Sequence, residues 1–487
     1  MTQHDIFMNR LVYAAIIGMA FIRLIAIGLT PLGLDVEEAQ YWQWSTTPDA
    51  GYFTKPPMIA WIIGSGTALF GDTAFGIRFF APIIQAISAL LAMKIAQSVF
   101  NPMAGRIAGI LWLTLPISAL GGFVMSTDSP MLLFLMSAIF VLTPWVKNEK
   151  LTPLQCVLAG LFTGLAMMSK YAAIYLPAGV LIWWLWEGRK HALISMRDVF
   201  LYGFGMLVSM MPNLIWNLQN GFVTAKHLSH NANLDEARTS IIGSLEFLLT
   251  QLGIVGPIIA VFAVMVMIIR RKEPSARFWI ALFIPAISVI TVQGYFSDTN
   301  ANWAVASWPP ALILLSGYCA EEWRRLRRPL MIGISINAGI ILVFLISVIV
   351  GSLGPLTPAS DPLRRLRAWD NHADDIQRFA DTHNVRNIVV FRRGYAAKLI
   401  WSLRDQNVSV HLVDRNGIAE NHFEQRFAWS PKSGETSIFI NGEETPPSFQ
   451  DIAGTPTVQW SGVYTASSHT ISKKRARRLG LHLGVVQ

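Results

Sequence analysis

Long apolar runs recur along most of this 487-residue chain and leave few folds open to it. Runs of roughly 17–24 residues with little charge are long enough to cross a hydrocarbon core as helices, where every backbone polar group must be satisfied internally. They fall near residues 11–30, 76–99, 103–122, 129–146, 152–169, 171–187, 198–218, 247–269, 277–293, 303–320 and 329–352. The expectation is an all-α polytopic membrane protein with about eleven transmembrane helices. The segment 57–70 is apolar but short, which suits an interfacial or re-entrant helix. Hydrophobic residues make up 53% of the chain against 14% charged, a balance that excludes a soluble fold for most of its length. The first run follows Arg10 and lacks a small-residue cleavage site, so it reads as a retained span, not a removable signal peptide.

The net charge of +9 does not point to nucleic acid, because most basic residues sit in short clusters between apolar runs. Arg106, Lys147 with Lys150, Arg189 with Lys190, Arg270 to Lys272, and Arg324 to Arg328 fall on alternate turns, which places those turns in the cytoplasm. The N-terminus is then cytoplasmic, and the loop 35–72 and everything after Leu353 lie outside. The expected organisation is a membrane domain over 1–352, with its first outer loop at 32–75, and a small C-terminal α/β extracytoplasmic domain over 353–487. In that domain Asn387–Phe391 and Val408–Val413 read as strands flanking a helix over Ala396–Leu403. The basic run Lys473, Lys474, Arg475, Arg477 and Arg478 reads as a solvated helix face, with anionic headgroups as the other reading. Cys156 and Cys319 lie inside apolar runs and support neither a disulfide frame nor a zinc site.

Several polar residues are not required by the fold. The first outer loop opens Asp35-Val36-Glu37-Glu38 beside Tyr41, Trp42 and Trp44, and continues Gly51-Tyr52-Phe53-Thr54-Lys55-Pro56-Pro57. The carboxylates are either solvated at the surface or placed as a general base on an acceptor hydroxyl or amine. Lys55 can neutralise a phosphate, its approach stiffened by the following prolines. Asp128, between Thr127 and Ser129, reads as an N-cap for the span that begins at Pro130. Lys170 lies between two spans with almost no loop, and either snorkels outward or meets an anionic ligand; Arg23 poses the same alternatives. His227 and His230 share one helical face in the loop 219–244, which permits a metal but fits hydrogen bonding to substrate or plain solvation better. The stretch Ser297 to Trp303, with Asn302, caps the next span or lines the outer face. No Walker, GxGxxG or Ser-His-Asp signature appears.

Taken together these loops resemble the GT-C membrane glycosyltransferases that use polyprenyl-phosphate sugars. The nearest branch looks like bacterial relatives of protein O-mannosyltransferases and lipid A aminoarabinose transferases. The resemblance rests on Val36 to Trp42, Gly51 to Pro57, Ser126-Thr127-Asp128, Met168-Ser169-Lys170-Tyr171, Pro212 to Asn217 and Asn300 to Trp303, in the expected order over most of the first 320 residues. The tail Asp361 to Arg365 adds a weaker match. The resemblance implies a catalytic acid at the position of Glu37-Glu38, where Asp-Glu is commoner. The extra methylene of Glu37 shifts its carboxylate by about 1 Å, which keeps Asp35 as an alternative base. It further implies that Lys55 and Tyr52 approach the donor phosphate, that Asp128 lines the site, and that Lys170 lies near the outer cavity.

The implied reaction is a single inverting displacement that moves a sugar from polyprenyl phosphate to a lipid, glycan or protein acceptor. Lys55, with Lys170 or Arg78, would stabilise the leaving phosphate, and Glu37 or Asp35 would deprotonate the acceptor. Glu38, Tyr41, His227, His230 and Asn302 would contact substrate. Some GT-C enzymes need a divalent cation, so a metal requirement stays open. The implied location is a bacterial inner membrane, with the chemistry on the periplasmic side. The rivals are a transporter or flippase of lipid-linked sugars, expected to show paired repeats with broken helices, and a non-catalytic glycan-assembly scaffold.

Overall fold

The computed structural model describes residues 2–224, 239–353, 361–414, 416–417, 419–449, 457–472 and 475–487. The chain divides into two compact units, one of Met1–Gly28, Asp49–Gly51 and Lys55–Ile346, the other of Leu29–Pro48, Tyr52–Thr54 and Ser347–Gln487.

The first unit is helical. Its elements are α1 (Gln3–Leu29), then, past α2 (Val36–Ser45) of the second unit, α3 (Met58–Phe70), α4 (Ala74–Arg78), α5 (Phe80–Val99), α6 (Pro102–Leu113) and α7 (Pro116–Gly121). There follow α8 (Asp128–Val146), α9 (Pro153–Ser169), α10 (Tyr175–Trp186), α11 (Met196–Gln219), α12 (Ile241–Val255), α13 (Pro257–Arg270), α14 (Pro274–Phe296), α15 (Trp308–Glu321) and α16 (Trp323–Val350). Helix starts are written locally. Asn101 accepts from the Ala104 amide at 2.9 Å with Pro102 in the first turn, and Thr152 and Gln155 form a capping box ahead of Pro153.

Among the described residues, six helices are long and apolar enough to cross a membrane, or up to seven if the bent pair α12 and α13 is one span. The chain is therefore a multi-pass membrane protein. Several expected straight spans are interrupted. The run expected over 247–269 bends by 108°, because Gly256 sits at φ +91° and Pro257 lacks the amide that would continue the helix. Asn337 donates to the carbonyl freed at Val255, at 2.8 Å. The run 103–122 breaks before Pro116, and those at 171–187 and 303–320 begin as 3-10 turns over Tyr171–Ile174 and Ala301–Ser307.

Helices α9 and α11 meet almost backbone to backbone. A Cβ on Gly160 would lie 1.9 Å from the Tyr202 carbonyl, and one on Gly205 2.1 Å from that of Val157. Such small-residue contacts replace the hydrophobic driving force that lipid removes. Ion pairs tie one set of helix ends together: Arg106 with Asp5 at 3.0 Å, Arg270 with Glu321 at 2.6 Å, and Arg277 with Glu187.

Beyond α2, the second unit holds a mixed sheet. β1 (Asn387–Val390), β2 (Ser409–Leu412), β3 (Thr436–Asn441), β4 (Val458–Ser472) and β5 (Arg475–Val486) stand in the order β2-β1-β3-β5-β4. β1 runs parallel to β2 and β3, with Ile388 opposite Val410 and Ile438, and β5 is antiparallel to β3 and β4. Around the sheet lie α17 (Trp369–His383), α18 (Arg393–Ser402), which makes the crossover from β1 to β2, and α19 (His422–Phe427). Val389, Trp429, Phe439 and Val486 form a core on the sheet. The basic run is not a helix face: Arg475, Arg477 and Arg478 lie on β5, because cross-strand pairing, such as His469 with Arg477, holds them extended. Lys473 and Lys474 lie outside the described residues.

Candidate active site

The acidic stretch of the first outer loop folds as the start of α2. Asp35 is its N-cap: the Glu37 amide donates to Asp35 Oδ2 at 3.4 Å, and the Asp35 amide donates to Glu38 Oε2 at 2.9 Å. This capping box commits Asp35 and the fully buried Glu38 to the backbone. Its signal, an acid followed three residues later by Glu, is present in the sequence. Glu37 alone turns its carboxylate outward, and Oε1 accepts from Arg393 Nη2 at 2.8 Å. Arg393 Nη1 donates to Gln40 Oε1 at 2.6 Å. Tyr41 is buried, its ring 5.2 Å from that of Trp44. Tyr52 stacks on Trp44 at 4.6 Å and donates its hydroxyl to the Trp44 carbonyl at 2.9 Å. Arg393 was invisible to sequence reasoning, since nothing local to it marks a partner far upstream.

In the first unit, three anticipated residues converge. Lys170 Nζ lies 2.6 Å from Asp128 Oδ1, and Asn302 Nδ2 donates to Asp128 Oδ2 at 2.6 Å. Asp128 and Lys170 side chains are only 10% and 15% exposed, so the ion pair is largely desolvated. Asp128 is therefore not the N-cap expected of it. Thr127 occupies that position, no side chain caps the helix start, and the carboxylate instead reaches across to two other segments. Lys170 does not snorkel to the headgroups, because Asp128 holds it. Both partners of Asp128 stand where regular helix is interrupted, Lys170 before the 3-10 turn at 171–174 and Asn302 within the one at 301–307.

A neutral network adjoins Lys170 in sequence. Tyr171 donates to Asn213 Oδ1 at 2.6 Å, and Asn213 Nδ2 donates to the Ala50 carbonyl at 2.8 Å. Gly51 packs flat on Trp216, where a Cβ would come within 2.4 Å of the indole. Three of the matching motifs thus pack on one another. Lys55 is partly exposed just ahead of α3. Arg78 is fully buried, its guanidinium 4.6 Å from the Phe123 ring centroid. Arg23 is 2% exposed and does not snorkel either; its Nη2 approaches the Leu113 carbonyl at 3.4 Å. His227 and His230 lie outside the described residues.

Among the described residues, no three His, Cys, Asp or Glu side chains group to hold a metal. Both oxygens of Asp128 face donors, one of them an ammonium, which does not fit a divalent cation.

Known proteins resemble this chain in sequence and in fold. The family model for dolichyl-phosphate-mannose-protein mannosyltransferases matches residues 54–216. The lipid A galacturonosyltransferase RgtD of Rhizobium johnstonii is 31% identical over 418 residues, covering 85% of this chain and 87% of that protein. An undecaprenyl phosphate-α-4-amino-4-deoxy-L-arabinose arabinosyl transferase of Pseudomonas fluorescens is 29% identical over 175 residues, 34% of this chain and 30% of that one. The crystal structure of ArnT from Cupriavidus metallidurans bound to undecaprenyl phosphate superposes with a TM-score of 0.66 over 96% of this chain and 97% of that one, at 14% identity, and so shares the fold. On the strength of the Rhizobium relative, the chain belongs to the GT-C family of membrane glycosyltransferases that use polyprenyl-phosphate-linked sugars.

Proposed function

We propose that this enzyme moves a sugar from a polyprenyl-phosphate donor to lipid A or a related envelope glycan on the periplasmic face of a bacterial inner membrane. The observation that carries the reading is the desolvated Lys170–Asp128–Asn302 cluster, built from the family's motifs. The names of the relatives supply lipid A as acceptor and undecaprenyl phosphate as carrier. The transporter alternative has no counterpart among them.

The acceptor oxygen attacks the anomeric carbon as the bond from that carbon to the phosphate oxygen breaks, inverting its configuration. The lipid phosphate leaves with the bonding pair, and the acceptor proton passes to a carboxylate. Glu37 suits that role better than Asp35, whose side chain caps α2. Lys170 has three N–H donors; Asp128 takes one and fixes the ammonium, leaving the others for the leaving phosphate beside Lys55. Arg78, fully buried, contributes its field. Asn302 holds the second oxygen of Asp128, and Tyr52 braces Trp44.

Eleven crossings account for the helix ends. Asp5, Arg106, Glu187, Arg277, Arg270 and Glu321 share ion pairs at one set of ends, while Asp128, Lys170 and Asn302 meet at the other set. On this reading the interrupted helices α6–α7, α9, α10, α12–α13 and α15 cross as well, and the alternation of these ends supports it. The positive clusters support a cytoplasmic location for the first set and the N-terminus, and a periplasmic one for residues 353–487.

The test is transfer of labelled sugar from undecaprenyl phosphate to lipid A by the purified protein. Glu37→Gln should lower kcat by about 10²–10⁴-fold, and Asp35→Asn should act mainly on stability. Full activity in Glu37→Gln would remove Glu37 as the base, and movement of the lipid across proteoliposomes without covalent transfer would favour a flippase.

A further inference from the structure

The second unit holds α2 by contacts of two kinds. The first kind packs. Trp42 and Trp401 meet edge to face at 4.8 Å, Lys398 donates to the Leu34 carbonyl, His422 bonds the Gln43 amide, and the Gly33 amide donates to the Leu366 carbonyl at 3.1 Å. These contacts are largely buried and pack the helix against the rest of the second unit. The second kind is the fork of Arg393, which reaches Glu37 and Gln40, residues on one helix face a turn apart. In its ion pair the Arg393 and Glu37 side chains are 38% and 44% exposed, and a pair so solvated adds little to stability. The fork therefore needs a reason other than folding.

We infer that Arg393 is a positioning residue for the transfer reaction, holding the Glu37 carboxylate by one oxygen so that the other takes the acceptor's proton. This rests on the proposed role of Glu37 as base. Among the described residues Oε2 accepts no hydrogen bond, whereas Oε1 is held at 2.8 Å. A glutamate has one more rotatable bond than an aspartate, and a general base must sit within hydrogen-bond reach of the proton it removes. The planar guanidinium, anchored on Gln40 as well as Glu37, removes that added freedom in a way a point-charge ammonium cannot.

The experiment compares Arg393→Ala, Arg393→Lys, Glu37→Gln and the double variant Arg393→Ala/Glu37→Gln in the full-length protein. It measures kcat, donor KM and thermal unfolding. Arg393→Ala should lose about 10–100-fold in kcat, the scale of a 1 Å misplacement, with donor KM within about twofold and the unfolding temperature unchanged. Arg393→Lys should fall between, guanidinium in the millimolar range should restore part of the Ala variant's rate, and the double variant should be no slower than Glu37→Gln alone. Wild-type kcat in Arg393→Ala beside an inactive Glu37→Gln would overturn the inference and leave the base assignment standing. Full activity in Glu37→Gln would instead sink the base assignment itself. An equal loss from Arg393→Ala in both backgrounds, or a lowered unfolding temperature without rescue by guanidinium, would show a structural role only and also overturn it.

Discussion

Replacing Asp128 by Asn keeps the size of the side chain and removes the charge that faces Lys170. Lys170 Nζ and Asn302 Nδ2 both donate to this carboxylate at 2.6 Å, and the pair is 10–15% exposed. The two donors approach different oxygens of Asp128, and an Asn has only one, so its own amide group must face one of them. Removing one partner of a buried pair costs about 3–5 kcal/mol, because the remaining charge stays buried without compensation. Replacing both members with apolar groups of similar volume, as in Asp128→Leu/Lys170→Met, is neutral or stabilising on the same grounds. The expected result is a non-additive cycle: the single variant destabilised by about 3 kcal/mol, the double variant close to wild type in stability, and both without transfer activity. Denaturant unfolding in mild detergent reads the first quantity, and labelled-sugar transfer the second. Stability of Asp128→Asn within about 0.5 kcal/mol of wild type, a change typical of surface sites, would refute the desolvated pair. Transfer by the double variant would refute its place in the site.

Two further outcomes follow from the structure. His372 is fully buried among Ser467, Asp375, His469 and Arg477, with its Nδ1 2.6 Å from Ser467 Oγ; burial, with His469 and Arg477 adding to it, pushes its pKa down to about 3. Burial and then Arg426 push that of His422 down to about 4. A neutral folded histidine is stabilising above its ordinary pKa near 6.5, so the second unit should lose stability as pH falls from about 6.5 towards 4, by at most about 1.4 kcal/mol per pH unit for each group. Tryptophan fluorescence melts read this, and a flat profile would contradict it. On α11, Gly205→Leu should destabilise by about 1–3 kcal/mol or more through overpacking, since a Cβ there meets the Val157 carbonyl at 2.1 Å, whereas Gly203→Leu, with open space around it, should be tolerated; equal effects in a detergent unfolding assay would contradict the α9–α11 packing.

Terms that add along the chain were legible in the sequence. The apolar runs mark helices because lipid leaves the backbone no other partner, and the strands at 387–390 and 409–412, with the helix between them, stand within a few residues of where their composition put them. The breaks were harder, although Gly256-Pro257 is plain to see, because apolar composition continues across the bend and hydropathy does not register direction. The same limit explains Asp128. A cap is a local event, and Thr127-Asp128-Ser129-Pro130 satisfies its rules, yet the carboxylate is taken by Lys170 and Asn302, which lie 42 and 174 residues away. Within the acidic loop the local rule won at Asp35 and Glu38, whose partners are three residues apart, and failed only at Glu37, whose partner is 356 residues away. That division has a functional consequence. A carboxylate whose bonds close locally is explained by the helix it caps. The carboxylates worth testing for chemistry are those, Glu37 and Asp128, that no local rule accounts for.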